Sequence, residues 1–342
     1  MMRVVKNILD YQTMGSNCST TVSKIIFNYY GYPFSEDMVF GLGAGLGFIY
    51  QYYVEDNSCF LSGKNESIEL NLAYAVGGTV VTGSFDDEDL AWETVKGYID
   101  KDMPVILDLS IRYLPYFKPY LAEVKNIGFG LHNAILAGYD DELEQVMLLD
   151  HRWDAPQIIS YQELRQARAA KESGVNSRNT YKVYLLPECT TKKPDIELMH
   201  AIRLNIQRMK YPFAFKMGID GIKMFRKEIL KMLQGDMDNE KQDIILTYSY
   251  LMERLGTGGG NFRRIYGRFL SEAGKMTGIE KFQEVSKLYT SLARTWKKTS
   301  NLLAKSVEDS SCIAELDETL NVIIEREIQG MNLLEDILEE VK

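Results

Sequence analysis

Along residues 18–30 (CSTTVSKIIFNYY) the apolar side chains Val22, Ile25, Ile26, Tyr29 and Tyr30 recur at helical spacing, and Gly31 followed by Pro33 ends the run. Shorter segments then alternate. A helix is expected at about 66–76, a strand at 79–82, a helix opened by Asp86–Asp87, and a strand at 104–110 (PVILDLS). Two apolar runs, LHNAILAGY and EQVMLLD, flank the acidic pair Asp140–Asp141 and read as adjacent strands. Ser160 with Glu163 three residues on forms a capping box at a helix start, and YKVYLLP is a last strand ending at Pro187. Helix and strand mixed in this way predict an α+β domain over 1–190. Past Glu188 the pattern changes. A polar linker at 188–195, bracketed by Pro187 and Pro194, gives way to Lys-, Glu-, Met- and Leu-rich helical segments. GTGGGN (256–261) is their one strong interruption, so 195–342 reads as an all-helical second domain.

The length of 342 residues supports two such domains, each large enough to bury a core. With 39 basic and 48 acidic residues the net charge is −9, which argues against nucleic acid as a partner. No run reaches the length of a transmembrane helix, and MMRVVKNILDYQT has no apolar core of the secretory kind, so a cytoplasmic protein with no membrane partner is expected. The four cysteines, Cys18, Cys59, Cys189 and Cys312, form no C-x-x-C pair, against both a disulfide framework and a zinc site. Only three histidines are present: His132, His151 and His200. Any chemistry that needs an imidazole must use one of them.

Cys18 directly precedes the first helix, after the polar loop Met14–Gly15–Ser16–Asn17. A helix N-terminus offers unpaired N–H groups and partial positive charge, which favour thiolate over thiol and can receive an oxyanion. A cysteine at such a place is more often a capping or buried residue. His132 and Asp150 change that balance, because each lies nine residues from Asp141, one on either side. In an antiparallel hairpin centred there they are cross-strand neighbours with Cβ atoms roughly 4.5–5.5 Å apart, close enough for the carboxylate to hold an imidazole N–H. The other ring nitrogen is then left to take a thiol proton. The register is an assumption, and a slip of one residue would turn Asp150 to the opposite face. Gln12, six residues before Cys18, has a side-chain amide able to fold back and donate to an oxyanion.

Gln-x5-Cys at a helix start, a distant His opening a strand and an Asp ending the next resemble the layout of papain-like thiol enzymes, the C39 peptidase branch most of all. FNYYGYPFSEDMVFGLGAGLGF (27–48), LSIRYLPYF (109–117), HNAILAGYDD (132–141) and TGGGNFRRIYGRFLSEAG (257–274) are similar to the butirosin biosynthesis protein H family, with its helical C-terminal domain. The resemblance implies a papain-like/C39-like catalytic domain with a central antiparallel sheet over 1–190, and a helical substrate- or carrier-binding domain over 195–342. It implies Cys18, His132 and Asp150 as a catalytic triad and Gln12 as the oxyanion residue. The implied activity is acyl transfer from the thioester of an acyl or peptidyl carrier protein to a small amine, forming an amide. No cofactor or metal is implied, the phosphopantetheine arriving on the donor carrier protein. A closthioamide-type (polythioamide) assembly role falls within this class, and no residue selects that product. One departure is that His151 follows Asp150 where the peptidase branch usually has proline, which leaves a role for His151 open.

GLGAGLGF (41–48) lacks the Gly-Lys-Ser/Thr ending of a phosphate-binding loop, and its glycines are expected to let backbone pass close to the thiol or to a slender acyl chain. In GTGGGNFRR, Asn261, Arg263 and Arg264 are candidates to meet a pantetheine phosphate or a substrate carboxylate, against a plain hinge with Asn261 as helix cap. Tyr113, Tyr116, Phe117 and Tyr120 are expected to wall an acyl site or to fill a core, with Tyr116 taken as a substrate-binding candidate. His200 and the other three cysteines read as structural. A cysteine peptidase and a catalytically idle binding module remain as alternatives, and the oligomeric state is left open.

Overall fold

The computed structural model describes residues 1–53, 58–121, 131–171, 176–189, 197–254 and 256–341. The expected linker at 188–195 lies outside the described residues from 190 onward. In chain order the fold begins with β1 (Arg3–Val4), α1 (Cys18–Tyr29), α2 (Glu36–Leu42), β2 (Leu46–Tyr53), β3 (Ser58–Lys64) and α3 (Ile68–Tyr74). It continues with β4 (Thr79–Gly83), α4 (Glu88–Ile99), β5 (Val105–Leu109), α5 (Lys118–Leu121), β6 (His132–Asp140) and β7 (Gln145–Leu149). Then come β8 (Gln157–Ser160), α6 (Tyr161–Ala169) and β9 (Tyr181–Leu185). The rest is helical: α7 (Leu198–Lys210), α8 (Gly218–Gln234), α9 (Asn239–Glu253), α10 (Arg263–Thr277), α11 (Lys281–Ser306) and α12 (Ile313–Glu340). The protein is therefore α+β, as expected, and among the described residues no helix is long and apolar enough to cross a membrane.

The chain divides into two compact units, but not at one point. Residues 1–36 and 76–195 form one, and residues 37–75 and 196–342 the other. This corrects the continuous split near 190. The aromatic run after GLGAGLGF becomes the hairpin β2–β3, whose apolar surface is covered by α7, α8 and α9 of its own unit. The first unit holds a seven-stranded sheet in the order β4-β9-β5-β6-β7-β8, with β1 added to β6. Every pairing in it is antiparallel. β6 is buried at all nine positions because α1 and α4 pack against it, which accounts for its unbroken apolar run. Asp87 caps α4, and the Ser160–Glu163 capping box starts α6 where the sequence places it.

In the second unit the core gathers Phe48 and Tyr50 of β2 with Phe225 of α8 and Trp296 of α11 in stacked and edge-on contacts. The GLGAGLGF segment belongs to this unit, spanning the end of α2 and the start of β2. A Cβ at Gly41 would stand 2.0 Å from the Phe269 ring, and one at Gly47 2.5 Å from Asn65 Oδ1. These glycines serve close packing within the helical unit.

Candidate active site

The placement of His132 and Asp150 depends on a β-bulge. Next to the turn Asp141–Glu144 the ladder pairs Asp140 with Gln145 and Gly138 with Met147. Farther along it pairs Leu136 with Leu148 and Ile135 with Leu149, so Ala137 is the extra residue. Without that extra residue the ladder would carry Asp150 opposite Ile135, on the face away from His132. With it, Asp150 follows opposite Ala134, two residues from His132 and on the same face. The expected symmetric pairing about Asp141 is thus corrected to a diagonal one. Beside the bulge, β1 runs so close that a Cβ on Gly138 would stand 2.5 Å from Arg3 O, and glycine is what permits the contact.

His132 Nε2 donates to Asp150 Oδ2 at 2.6 Å, and both side chains are buried. The carboxylate accepts only, so Nε2 keeps its proton and Nδ1 is the nitrogen that can exchange one with a neighbour. His151 Nδ1 lies 2.9 Å from Asp150 Oδ1, and the Tyr116 hydroxyl donates to Oδ2 at 3.2 Å. Burial pushes the His132 ring down, but the charge and hydrogen bond of Asp150, with smaller contributions from Cys18, lift it above the ordinary imidazole value. Burial likewise pushes Asp150 up, and the charge and hydrogen bond of His132, then His151, carry it well below the usual carboxylate range. Both directions favour an imidazolium–carboxylate pair. Ligand atoms of His132, Asp150 and His151 lie within 4.8 Å of one another. Two ligands of one tetrahedral ion stand about 3.3 Å apart at usual metal–nitrogen distances, so the 2.6 Å contact is a hydrogen bond.

Cys18 is the first residue of α1, which packs on β6, and it is near enough to His132 to help raise the imidazole. Asn17 caps the helix by accepting from Ser19 N and Thr20 N, so these two N–H groups are taken. The loop in front of Cys18 is held by a residue the sequence did not single out. Glu36 accepts from Ser16 N at 2.9 Å and Asn17 N at 2.9 Å, and from the hydroxyls of Thr20 and Thr21 at 2.7 and 3.1 Å. Nothing local in the sequence marks a carboxylate that acts from twenty residues away. Gln12 departs from its expected geometry. Its amide donates to Asp150 O at 3.1 Å and Trp153 O at 2.5 Å, spending both N–H groups on the segment that carries Asp150 and His151.

The aromatic segment closes over the pair. Phe117 meets the His132 ring edge-on at 4.8 Å, and Trp153 packs against Tyr116 and Phe117. Tyr116, expected at the substrate, instead gives its hydroxyl to Asp150, while Tyr113 and Tyr120 are partly exposed. The other candidates lie in the second unit. Arg263 is fully buried: Nε donates to Glu327 at 2.6 Å, one terminal nitrogen to Gly63 O and Asn261 O, and the guanidinium lies over the Trp296 ring. Its charge is already matched, so the expectation that it meets a phosphate or carboxylate is corrected. Asn261 is buried as well, and Phe262 in a left-handed conformation, not Asn261, precedes α10. Arg264 is exposed beside Gly259. Burial pushes the Cys59 thiol up to about 12, consistent with an inert cysteine.

Fold and site together define an α+β protein in which a buried imidazole–carboxylate pair adjoins a helix-initial thiol, an arrangement able to activate a nucleophile. Residues 17–151 match the family described as butirosin biosynthesis protein H, N-terminal, and residues 162–334, about half of the chain, match a domain of unknown function, DUF4872. The chain belongs to this butirosin biosynthesis protein H-like family. No curated protein matches it.

Proposed function

We propose that the protein is an amide-forming acyltransferase of natural-product biosynthesis, with Cys18 as nucleophile, His132 as base and Asp150 as the group that orients and charges that base. The reading is carried by the 2.6 Å His132–Asp150 bond, which occupies Nε2 and leaves the other nitrogen of the same ring to exchange a proton with Cys18. The Cys18 thiol gives its proton to Nδ1, and the thiolate attacks the carbonyl carbon of an acyl or peptidyl carrier protein's thioester. The bond to the pantetheine sulfur breaks, and that sulfur leaves with the proton from His132. A small amine then attacks the acyl-enzyme, His132 takes the amine proton, and the amide forms as Cys18 departs. The stable charge on Asp150 supports the imidazolium in both halves. Gln12 serves the oxyanion in this scheme only after its amide leaves Trp153 O, so its resting role is to hold the 150–153 segment.

Intact-protein mass spectrometry with a pantetheine acyl thioester tests the reading. Wild type should gain one acyl group, Cys18→Ala none, and an added amine should discharge it as amide. Discharge to free acid at a rate indifferent to amine would favour a hydrolase of the peptidase type. No adduct on wild type, or one that persists on Cys18→Ala, would refute the assignment.

A further inference from the structure

Two imidazoles hold one carboxylate, and their surroundings differ. His132 faces Cys18, whereas His151 is turned to the other carboxylate oxygen with its main chain against the loop that precedes Cys18. Its carbonyl oxygen accepts the Gly15 N–H at 2.8 Å, and the side chain is buried. We propose that His151 is a positioning residue of the Cys18–His132–Asp150 site, its Nδ1–H fixing the Asp150 carboxylate and its carbonyl fixing the nucleophile loop. The proposal rests on the functional reading above for what the site does, but not for the contacts themselves.

Asp150 is fully buried and sits just past the end of β7, where the ladder no longer holds its backbone. Gln12 secures its main-chain oxygen, and the side chain keeps its own two torsions, the second of which turns the carboxylate. Oδ2 receives His132 and Tyr116 while Oδ1 receives His151, so donors on both oxygens stop that rotation and aim Oδ2 at His132. The titratable and charged groups facing His151 are Asp150, His132, whose ring centroid is 5.5 Å away, and Arg152. Burial lowers His151, Asp150 opposes that, and the positive charges of His132 and Arg152 add to the lowering. At neutral pH His151 is therefore uncharged and supplies one proton to the carboxylate, while the positive charge stays on the ring beside the thiol. Removing the donor leaves a buried carboxylate oxygen without its partner, which is the costly way to break such a bond.

The test compares His151→Asn, whose amide nitrogen stands where Nδ1 does relative to Cβ, with His151→Ala and with His151→Gln, which carries the amide one bond farther. The first readout is the low-field proton resonance of the short His132–Asp150 bond; the second is the rate of Cys18 alkylation by iodoacetamide. Wild type, Cys18→Ala and His151→Asn should keep the resonance, and His151→Ala should lose it. Alkylation should fall about tenfold or more in His151→Ala, the scale of one hydrogen bond to a charged group, and recover in His151→Asn. Should His151→Ala fail to fold, the asparagine and glutamine variants decide: resonance kept in the first and lost in the second supports the proposal. Equal behaviour of those two, or a His151→Ala protein that keeps both signal and rate, overturns it. Absence of the resonance from wild type would overturn the geometry itself. Neither readout uses an acyl donor, so a wild-type protein that alkylates but is never acylated would refute acyl transfer and leave this comparison standing.

Discussion

Replacing Glu327 with Gln should destabilise the helical unit severely, because it strands a guanidinium in the core. Arg263 and Glu327 are both fully buried, joined at 2.6 Å, and tied further to β3 through Gly63 O and to α11 through Trp296, whose indole N–H donates to the same Glu327 oxygen at 3.3 Å. Glutamine keeps an acceptor for the indole, so the loss is mainly one of charge matching. Removing one partner of a buried pair costs about 3–5 kcal/mol, much of it the penalty on the survivor. For a unit of this size each kcal/mol moves Tm by roughly 2–4 °C, which gives a fall on the order of 10 °C. In a Trp92→Phe, Trp153→Phe background Trp296 is the remaining tryptophan of the three, and its fluorescence during a thermal ramp follows this unit. Replacing both partners together, as Arg263→Met with Glu327→Leu, removes the unmatched charge and should restore most of the loss. A Glu327→Gln protein whose Tm falls by less than about 2 °C would show that the pair does not hold this core together.

Glu36→Gln removes charge from an acceptor of four groups around Ser16–Asn17, and Cys18 alkylation should slow about tenfold while the chain stays folded; an unchanged rate would mean that the loop is held by other contacts. Gln12→Glu sets a carboxylate against the carbonyl oxygens of Asp150 and Trp153, so thermal stability and thioester acylation should fall together, whereas loss of acylation alone would restore the oxyanion role. The stability cost of Asp150→Asn should depend on pH with a defined sign. The lowered Asp150 contributes stability that is present above the ordinary carboxylate range and lost as pH falls through its lowered value. The raised His132 contributes stability present below the ordinary imidazole value and lost as pH rises through its raised one. Denaturant titrations should therefore find the cost largest between about pH 4 and 6.5, and a cost that does not vary with pH would contradict the coupled pair.

Local pattern alone sufficed for α1, its stop at Gly31, the capping box at Ser160, the strands on either side of the 141–144 turn and the helical nature of 198–340. Those features depend on neighbours three or four residues away, or on an apolar run long enough to demand burial. It also sufficed to bring His132 and Asp150 under suspicion together, since few histidines were available and a hairpin ties sequence distance to spatial distance. Three matters belonged to tertiary structure. The bulge at Ala137 decided which face Asp150 shares, and it lies where β1, more than a hundred residues away in sequence, pairs with β6 at Gly138. The assignment of residues 37–75 to the helical unit followed from which surfaces bury the β2–β3 hairpin, something no composition shift announces. The fate of Arg263 turned on Glu327, sixty-four residues on, because a charge seen in sequence reads as exposed until the fold supplies its counter-charge. Periodicity tells which side of an element is buried; only the assembled fold tells against what.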